Sequence, residues 1–198
     1  MQVVLASGNA GKLRELSALL APHGLTLLRQ TDLGVPAADE TGDSFEANAI
    51  LKARHAAQAT GLPAIADDSG IEVDALGGRP GVRSARFAGE HATDAQNLAL
   101  LLREMADVPD GRRTARFRCV IAMVRDAGDP APLLARGVWE GTITRVARGD
   151  GGFGYDPIFL PLGSDRTVAQ IEDQAKNTMS HRASALQALL AQEPWTAR

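Results

Sequence analysis

A single cysteine, Cys119, in 198 residues excludes an intramolecular disulfide and any site built from several thiolates. It stands in the apolar run Phe117-Arg118-Cys119-Val120-Ile121, which is expected to place it in a core as a small side chain. No apolar run reaches the length of a membrane span, and the opening MQVVLASGN is too short for a signal-peptide core. A cytoplasmic protein with no membrane partner is expected. Positive charge is not in excess either: 21 Lys and Arg face 24 Asp and Glu, for a formal net charge of −3. That argues against a basic polymer-binding surface and a nucleic-acid partner, but not against a small anion held by a few local cations. Aromatic residues are only 4% of the chain, so any that stand in loops need a reason.

What is present reads as an ordinary soluble globular chain, 44% hydrophobic and 23% charged, with enough length for one domain or two closely packed lobes. Residues 2–6 read as a first strand and residues 12–21 as a helix with Leu13, Leu16 and Leu20 at helical spacing. Residues 25–28 can return as a second strand. A longer helix is expected from Ser44 to Gly61, with Asp43 and Glu46 as a capping box and Phe45, Ile50, Ala53 and Ala57 as its apolar stripe. A buried strand then delivers Asp67 and Asp68 and is expected to end there, before Ile71 resumes. Thr93 and Gln96 open another helix, residues 113–125 and 133–144 are long strands around an Asp-Ala-Gly-Asp-Pro turn, and residues 180–190 close as a helix. Helices mixed with long hairpin strands and short crossover strands predict an α/β fold with a mixed sheet.

Four stretches carry chemistry. Ser7-Gly8-Asn9-Ala10-Gly11-Lys12 lies between a strand and a helix, where accessible N–H groups, the helix dipole and a lysine all favour an anion. Its spacing is not that of a P-loop, and a plain strand-to-helix turn would also use these glycines. Glu40 stands ahead of the long helix, on which Asn48, Lys52 and His55 share a face, and a solvated polar face is the bland alternative. Asp67-Asp68-Ser69-Gly70 offers carboxylate oxygens of the kind that suit Mg²⁺, although Asp-Ser-Gly is also good turn chemistry. Last, Phe153-Gly154-Tyr155-Asp156 places two rings on a permissive backbone where they can stack on a base, with Lys176, His181 and Arg182 supplying donors next to a helix start at Ser180. A glycine-rich hairpin followed by a capped helix is the alternative there.

Taken in order, Ser7-Gly8-Asn9…Lys12…Glu15, Glu40-Thr41-Gly42, Asn48-Ala49…Lys52-Ala53, Asp67-Asp68-Ser69-Gly70, Phe153-Gly154-Tyr155-Asp156-Pro157 and Ser180-His181-Arg182 resemble the non-canonical purine nucleoside triphosphate pyrophosphatases. The resemblance spans nearly the whole chain, and only Ser7, where threonine is frequent, departs from the pattern while keeping the hydroxyl. It implies one two-lobed domain over residues 1–198: an elongated mixed β-sheet flanked by helices, with a central substrate cleft. It also implies a homodimer, Mg²⁺ dependence, and hydrolysis of ITP, dITP, XTP and dXTP to the monophosphate and pyrophosphate, which removes deaminated purines from the nucleotide pool. By the same resemblance Glu40 and Asp68 hold Mg²⁺ and Asp68 accepts the proton of the attacking water. Asp67 and Ser180 support the arrangement. Substrate contacts are expected from Ser7, Gly8, Asn9, Ala10, Gly11, Lys12, Lys52 and Ser69, and from Phe153, Gly154, Tyr155, Asp156, Lys176, His181 and Arg182. Maf-type nucleotide pyrophosphatases share a related architecture but open with a different phosphate loop. A sensor that binds nucleotide without hydrolysis would lack the carboxylate pair.

Overall fold

A computed structural model describes residues 1–192 of the chain. Eleven regular elements follow in order: β1 Gln2–Leu5, α1 Ala10–Leu20, β2 Thr26–Arg29, α2 Phe45–Thr60, β3 Ala64–Val73, α3 Asp94–Glu104, β4 Thr114–Val124, β5 Leu133–Ile143, β6 Phe159–Pro161, α4 Asp173–Met179 and α5 His181–Leu190. The strands form one six-stranded sheet in the order β2-β1-β3-β4-β5-β6. β1 runs parallel to β2 and β3, whereas β5 and β6 are antiparallel, so the sheet is mixed and the fold is α/β as expected.

The chain divides into two compact units. The first takes residues Met1–Asp68, Cys119–Gly137 and the described residues from Arg182 onward; the second takes Ser69–Arg118 and Val138–His181. Each has its own core. In the first, Leu13, Leu16 and Leu20 of α1 and Leu186 and Leu189 of α5 close on Val3, Leu5, Ile65 and Ile121 of the sheet. Each fully buried Leu or Ile contributes roughly 1.5–3 kcal/mol against the entropy of ordering the chain. Cys119 belongs to this core, 1% exposed, and burial pushes its thiol pKa up to about 12, with the nearby Asp67 carboxylate adding to the shift. In the second unit, Leu101 of α3 and Met105 just after it pack with Ile71, Ile143, Ile158 and Phe159.

Local signals explain most boundaries. Thr93 caps α3 in a reciprocal capping box with Gln96, and Gly61 ends α2 in the left-handed conformation that favours glycine. Two expectations are corrected. The cap of α2 is Ser44, whose hydroxyl accepts from the Ala47 N–H, because only this residue is both extended and one step from the first helical turn; Asp43 lies outside. β3 does not stop at the aspartates but runs unbroken through Asp67-Asp68-Ser69-Gly70 to Val73. In addition to the elements read from the sequence, α4 lies directly ahead of the closing helix.

Candidate functional site

The two adjacent aspartates avoid mutual repulsion by strand geometry. Successive side chains of a strand point to opposite faces. Asp67 turns toward α1 and α5 and Asp68 toward α2, and each meets cations there although both are buried, 1% and 4% exposed.

On one face, Asp67 Oδ2 lies 3.2 Å from Lys12 Nζ and 3.3 Å from Arg182 Nε. Arg182 also pairs with Glu15 of α1. Burial opposes ionisation of Asp67, but Lys12, Arg182 and Lys52 outweigh it and hold the carboxyl well below the usual range. Arg182 is held charged in turn: burial works against it, while Asp67 and Glu15 raise its pKa above the ordinary value.

On the other face, Lys52 Nζ sits 2.8 Å from Asp68 Oδ1 and 2.8 Å from Glu40 Oε1. Asn48, fully buried one turn earlier on α2, donates from Nδ2 to Asp68 Oδ2 at 3.2 Å and accepts from the Gly42 N–H at 2.8 Å. That second bond ties the Glu40-Thr41-Gly42 loop to the helix. A Cβ at Gly42 would come within 2.6 Å of Asn48 Oδ1, so only glycine lets the loop approach so closely. The Asp68 carboxyl is raised by burial; Lys52 and Lys12 oppose the shift and Glu40 adds to it. Lys52 is raised too, since the pull of Asp68, Asp67 and Glu40 exceeds the penalty of its burial.

This face fits a divalent cation. Two carboxylates on separate segments converge on a single ammonium, which marks a point of strongly negative potential. Among the described residues no three His, Cys, Asp or Glu form a closed cage. One or two carboxylates with water and phosphate completing the shell is the usual Mg²⁺ arrangement.

The loop before α1 bears on anion binding. Asn9 caps α1 through Oδ1 on the Lys12 N–H, and Ser7 Oγ accepts from the Asn9 N–H. The amides of Asn9 and Lys12 are thus engaged, while those of Gly8, Ala10 and Gly11 meet no acceptor among the described residues. A Cβ on Gly8 would touch nothing within 4 Å, so packing does not demand glycine there, and an unencumbered backbone is what an approaching anion needs.

In the second unit, Asp156 Oδ2 accepts from Lys176 Nζ at 2.8 Å and from the Phe153 N–H at 3.0 Å. Lys176 Nζ lies 4.6 Å from the centroid of the half-buried Phe153 ring. Gly154 donates its N–H to Asp94 at 2.8 Å. Ser69 belongs to this unit, His181 stacks on Phe117 with centroids 4.9 Å apart, and Ser180 ends α4, 1% exposed.

Two residues expected to contact the base have partners within the protein. Tyr155 is a core residue, 5% exposed, whose hydroxyl donates to the Ser84 carbonyl at 2.8 Å. Burial raises its pKa, with Asp94 adding to the effect. Arg182 is 1% exposed, and its guanidinium lies in the buried pairs with Asp67 and Glu15. His55, further along α2, has its Nε2 3.0 Å from the Pro36 carbonyl oxygen. Glu15 and Asn48 are contributors that the sequence reading left without a role. One available signal is the scarcity of lysine: the chain has three, Lys12, Lys52 and Lys176, and all three sit in these clusters.

Residues 3–192 match the Ham1 family. The chain is 58% identical over 189 residues, 96% of each chain, to a dITP/XTP pyrophosphatase of Salmonella paratyphi A, and 57% identical over the same span to one of Escherichia coli strain K12. Among solved structures, a HAM1 protein from Coxiella burnetii is similar with a TM-score of 0.90 and 47% identity, covering 99% of this chain and 100% of that one. A nucleoside-triphosphatase / dITP/XTP pyrophosphatase from Mycobacterium abscessus is similar with a TM-score of 0.75 and 48% identity, covering 96% and 99%.

Proposed function

The chain belongs to the Ham1 family, and from that premise we propose that it hydrolyses non-canonical purine nucleoside triphosphates (ITP, dITP, XTP and dXTP) to the monophosphate and pyrophosphate. The observation that carries the reading is the convergence of Glu40 and Asp68 on one cation, backed by Asn48. Relatives that match 96% of the chain bear the name of this activity.

Glu40 and Asp68 are the proposed ligands of Mg²⁺, which when bound supplies positive charge to the phosphate oxygens. Lys12, Lys52 and the amides of Gly8, Ala10 and Gly11 add donors for the phosphates, whose charge shifts in the transition state. Asp68 takes the proton of the water that attacks the α-phosphorus. Asp68 is assigned this role because it shares the Lys52 cluster with Glu40, whereas Asp67 is tied to Lys12 and Arg182 and takes a supporting one. Phe153 offers a ring to the base, and Lys176, held by Asp156, offers a donor that favours a six-position carbonyl over an amino group. A homodimer working in the cytoplasm completes the proposal; no helix among the described residues is long and apolar enough to cross a membrane.

The test is dITP turnover under Mg²⁺ titration. Asp68→Asn should lower turnover about 100-fold or more, the scale of a lost general base. Glu40→Gln should chiefly raise the Mg²⁺ concentration required. Near-wild-type turnover by Asp68→Asn at saturating Mg²⁺ would remove Asp68 from the proton-transfer role.

A further inference from the structure

Away from the residues discussed so far, the second unit contains a cavity of about 360 Å³, within the range of small-molecule sites (roughly 300–1,000 Å³). Its lining includes Arg113, Arg145 and Arg148, with Asp110 as the acidic member. Arg113 is 3% exposed and is fixed by backbone carbonyls: Nε donates to Ile143 O at 2.8 Å, Nη1 to Met105 O at 2.6 Å and Nη2 to Thr144 O at 3.0 Å. Carbonyls orient a guanidinium without neutralising it. Burial lowers the Arg113 pKa and Arg145 adds to that, with Asp110 opposing.

Asp110 is a weak counter-ion for this group. Its side chain is 80% exposed, and it is already paired with Arg145 Nε at 2.7 Å. Arg148 is exposed, and among the described residues its guanidinium meets no partner. Three guanidinium charges thus face one solvated carboxylate in a concavity of a chain whose net charge is −3. Such an arrangement concentrates anions locally.

We propose that this cavity is a second anion site, binding a phosphate-class oxyanion: free phosphate, pyrophosphate or the terminal phosphates of a nucleotide. Arg148 and Arg145 make the direct contacts, because guanidinium forks match phosphate geometry. Arg113 contributes a fixed positive field from the floor. The site stands whether or not the chain hydrolyses nucleotides, since it shares no residue with the Glu40–Asp68 cluster.

Arginine modification by phenylglyoxal, followed by peptide mass mapping of the full chain in EDTA, tests this. Phosphate, pyrophosphate or AMP should each be compared with chloride at matched ionic strength, with the exposed Arg103 as internal control. Slower modification of Arg148 with an unchanged rate at Arg103 supports the site, and the anion that protects most identifies its ligand. Equal rates at Arg148 in oxyanion and chloride, or parallel slowing at Arg103, would overturn it. A second arm titrates pyrophosphate calorimetrically into Lys12→Ala protein, where the other candidate phosphate site is weakened. Arg148→Gln in that background should reduce affinity about tenfold, the loss of one charge-assisted contact. Unchanged affinity would contradict the proposal.

Discussion

Asn substituted separately at the two adjacent aspartates should give opposite profiles, although the changes are chemically identical. Asp67 has a side chain with no exposed surface and balances Lys12 and Arg182. Removing one partner from a buried ion pair costs about 3–5 kcal/mol, since the remaining charges stay buried without compensation. Arg182 keeps Glu15, and the Lys12 side chain is 16% exposed, so the lower end applies, about 3 kcal/mol. At roughly 2–4 °C per kcal/mol for a chain of this size, Asp67→Asn should lower Tm by about 6–12 °C. Asp68 differs: burial raises its pKa, so its ionised form is disfavoured by folding and a neutral amide relieves that penalty, while Lys52 loses one carboxylate but keeps Glu40. Asp68→Asn should therefore cost less than Asp67→Asn, roughly 1–2 kcal/mol. The linkage signs differ as well. The folded Asp67 pKa lies below its ordinary value of 3.8, so its stabilisation is complete above that pH and fades as the pH falls through the folded value. The gap between wild type and Asp67→Asn should narrow accordingly in acid. Thermal unfolding followed by circular dichroism in EDTA, from neutral pH downward, measures all of this. Equal losses for the two variants, or a larger loss for Asp68→Asn, would refute the assignment of the two side chains to opposite faces with different charge environments.

Other expectations follow from single contacts. Gly152→Ala would push a Cβ into the Asp156 carboxylate at a residue whose φ is 71°, so it should displace the acceptor that holds Lys176 and the Phe153 amide. The reading is a raised KM for dITP, with thermal stability reduced by about 1–3 kcal/mol, the usual range for strain at a special backbone position. Phe153→Ala should weaken ITP, XTP and ATP binding alike by about 1–3 kcal/mol, because a stacking surface does not distinguish bases; a loss confined to one base would point to hydrogen-bonded readout instead. Lys12→Ala should weaken triphosphate binding and flatten its dependence on added salt, and equal use of IDP and ITP by the wild type would take the Ser7–Lys12 loop out of the phosphate site.

Where local chemistry decides, the sequence was legible. Thr93 with Gln96, Gly61, and the leucines of α1 announce their elements because caps and periodicity act over a few residues. The course of β3 was not legible for the opposite reason. Asp-Ser-Gly favours a turn locally, and two adjacent carboxylates argue for solvent, yet cations from α1, α2 and α5 neutralise the pair on separate faces and let the strand continue. Those partners come from positions 12, 52 and 182, and nothing in the neighbourhood of residue 67 signals them. Tyr155 shows the same limit: its glycine neighbours suggest an exposed ring, but the Ser84 carbonyl satisfies its hydroxyl inside the second unit's core. Glu15 lies between the apolar positions of α1 and reads as a helix-surface residue until Arg182 is seen to bury it.

The central claim is that the Glu40–Asp68 cluster cleaves a purine nucleoside triphosphate between its α- and β-phosphates. Product identity tests it most directly: dITP, XTP and dATP are each incubated with wild-type protein and Mg²⁺, and pyrophosphate and orthophosphate are quantified separately. The account predicts stoichiometric pyrophosphate and monophosphate from dITP and XTP, far less from dATP, and loss of the product with Asp68→Asn. Release of orthophosphate one unit at a time, or equal turnover of dATP and dITP, would contradict it.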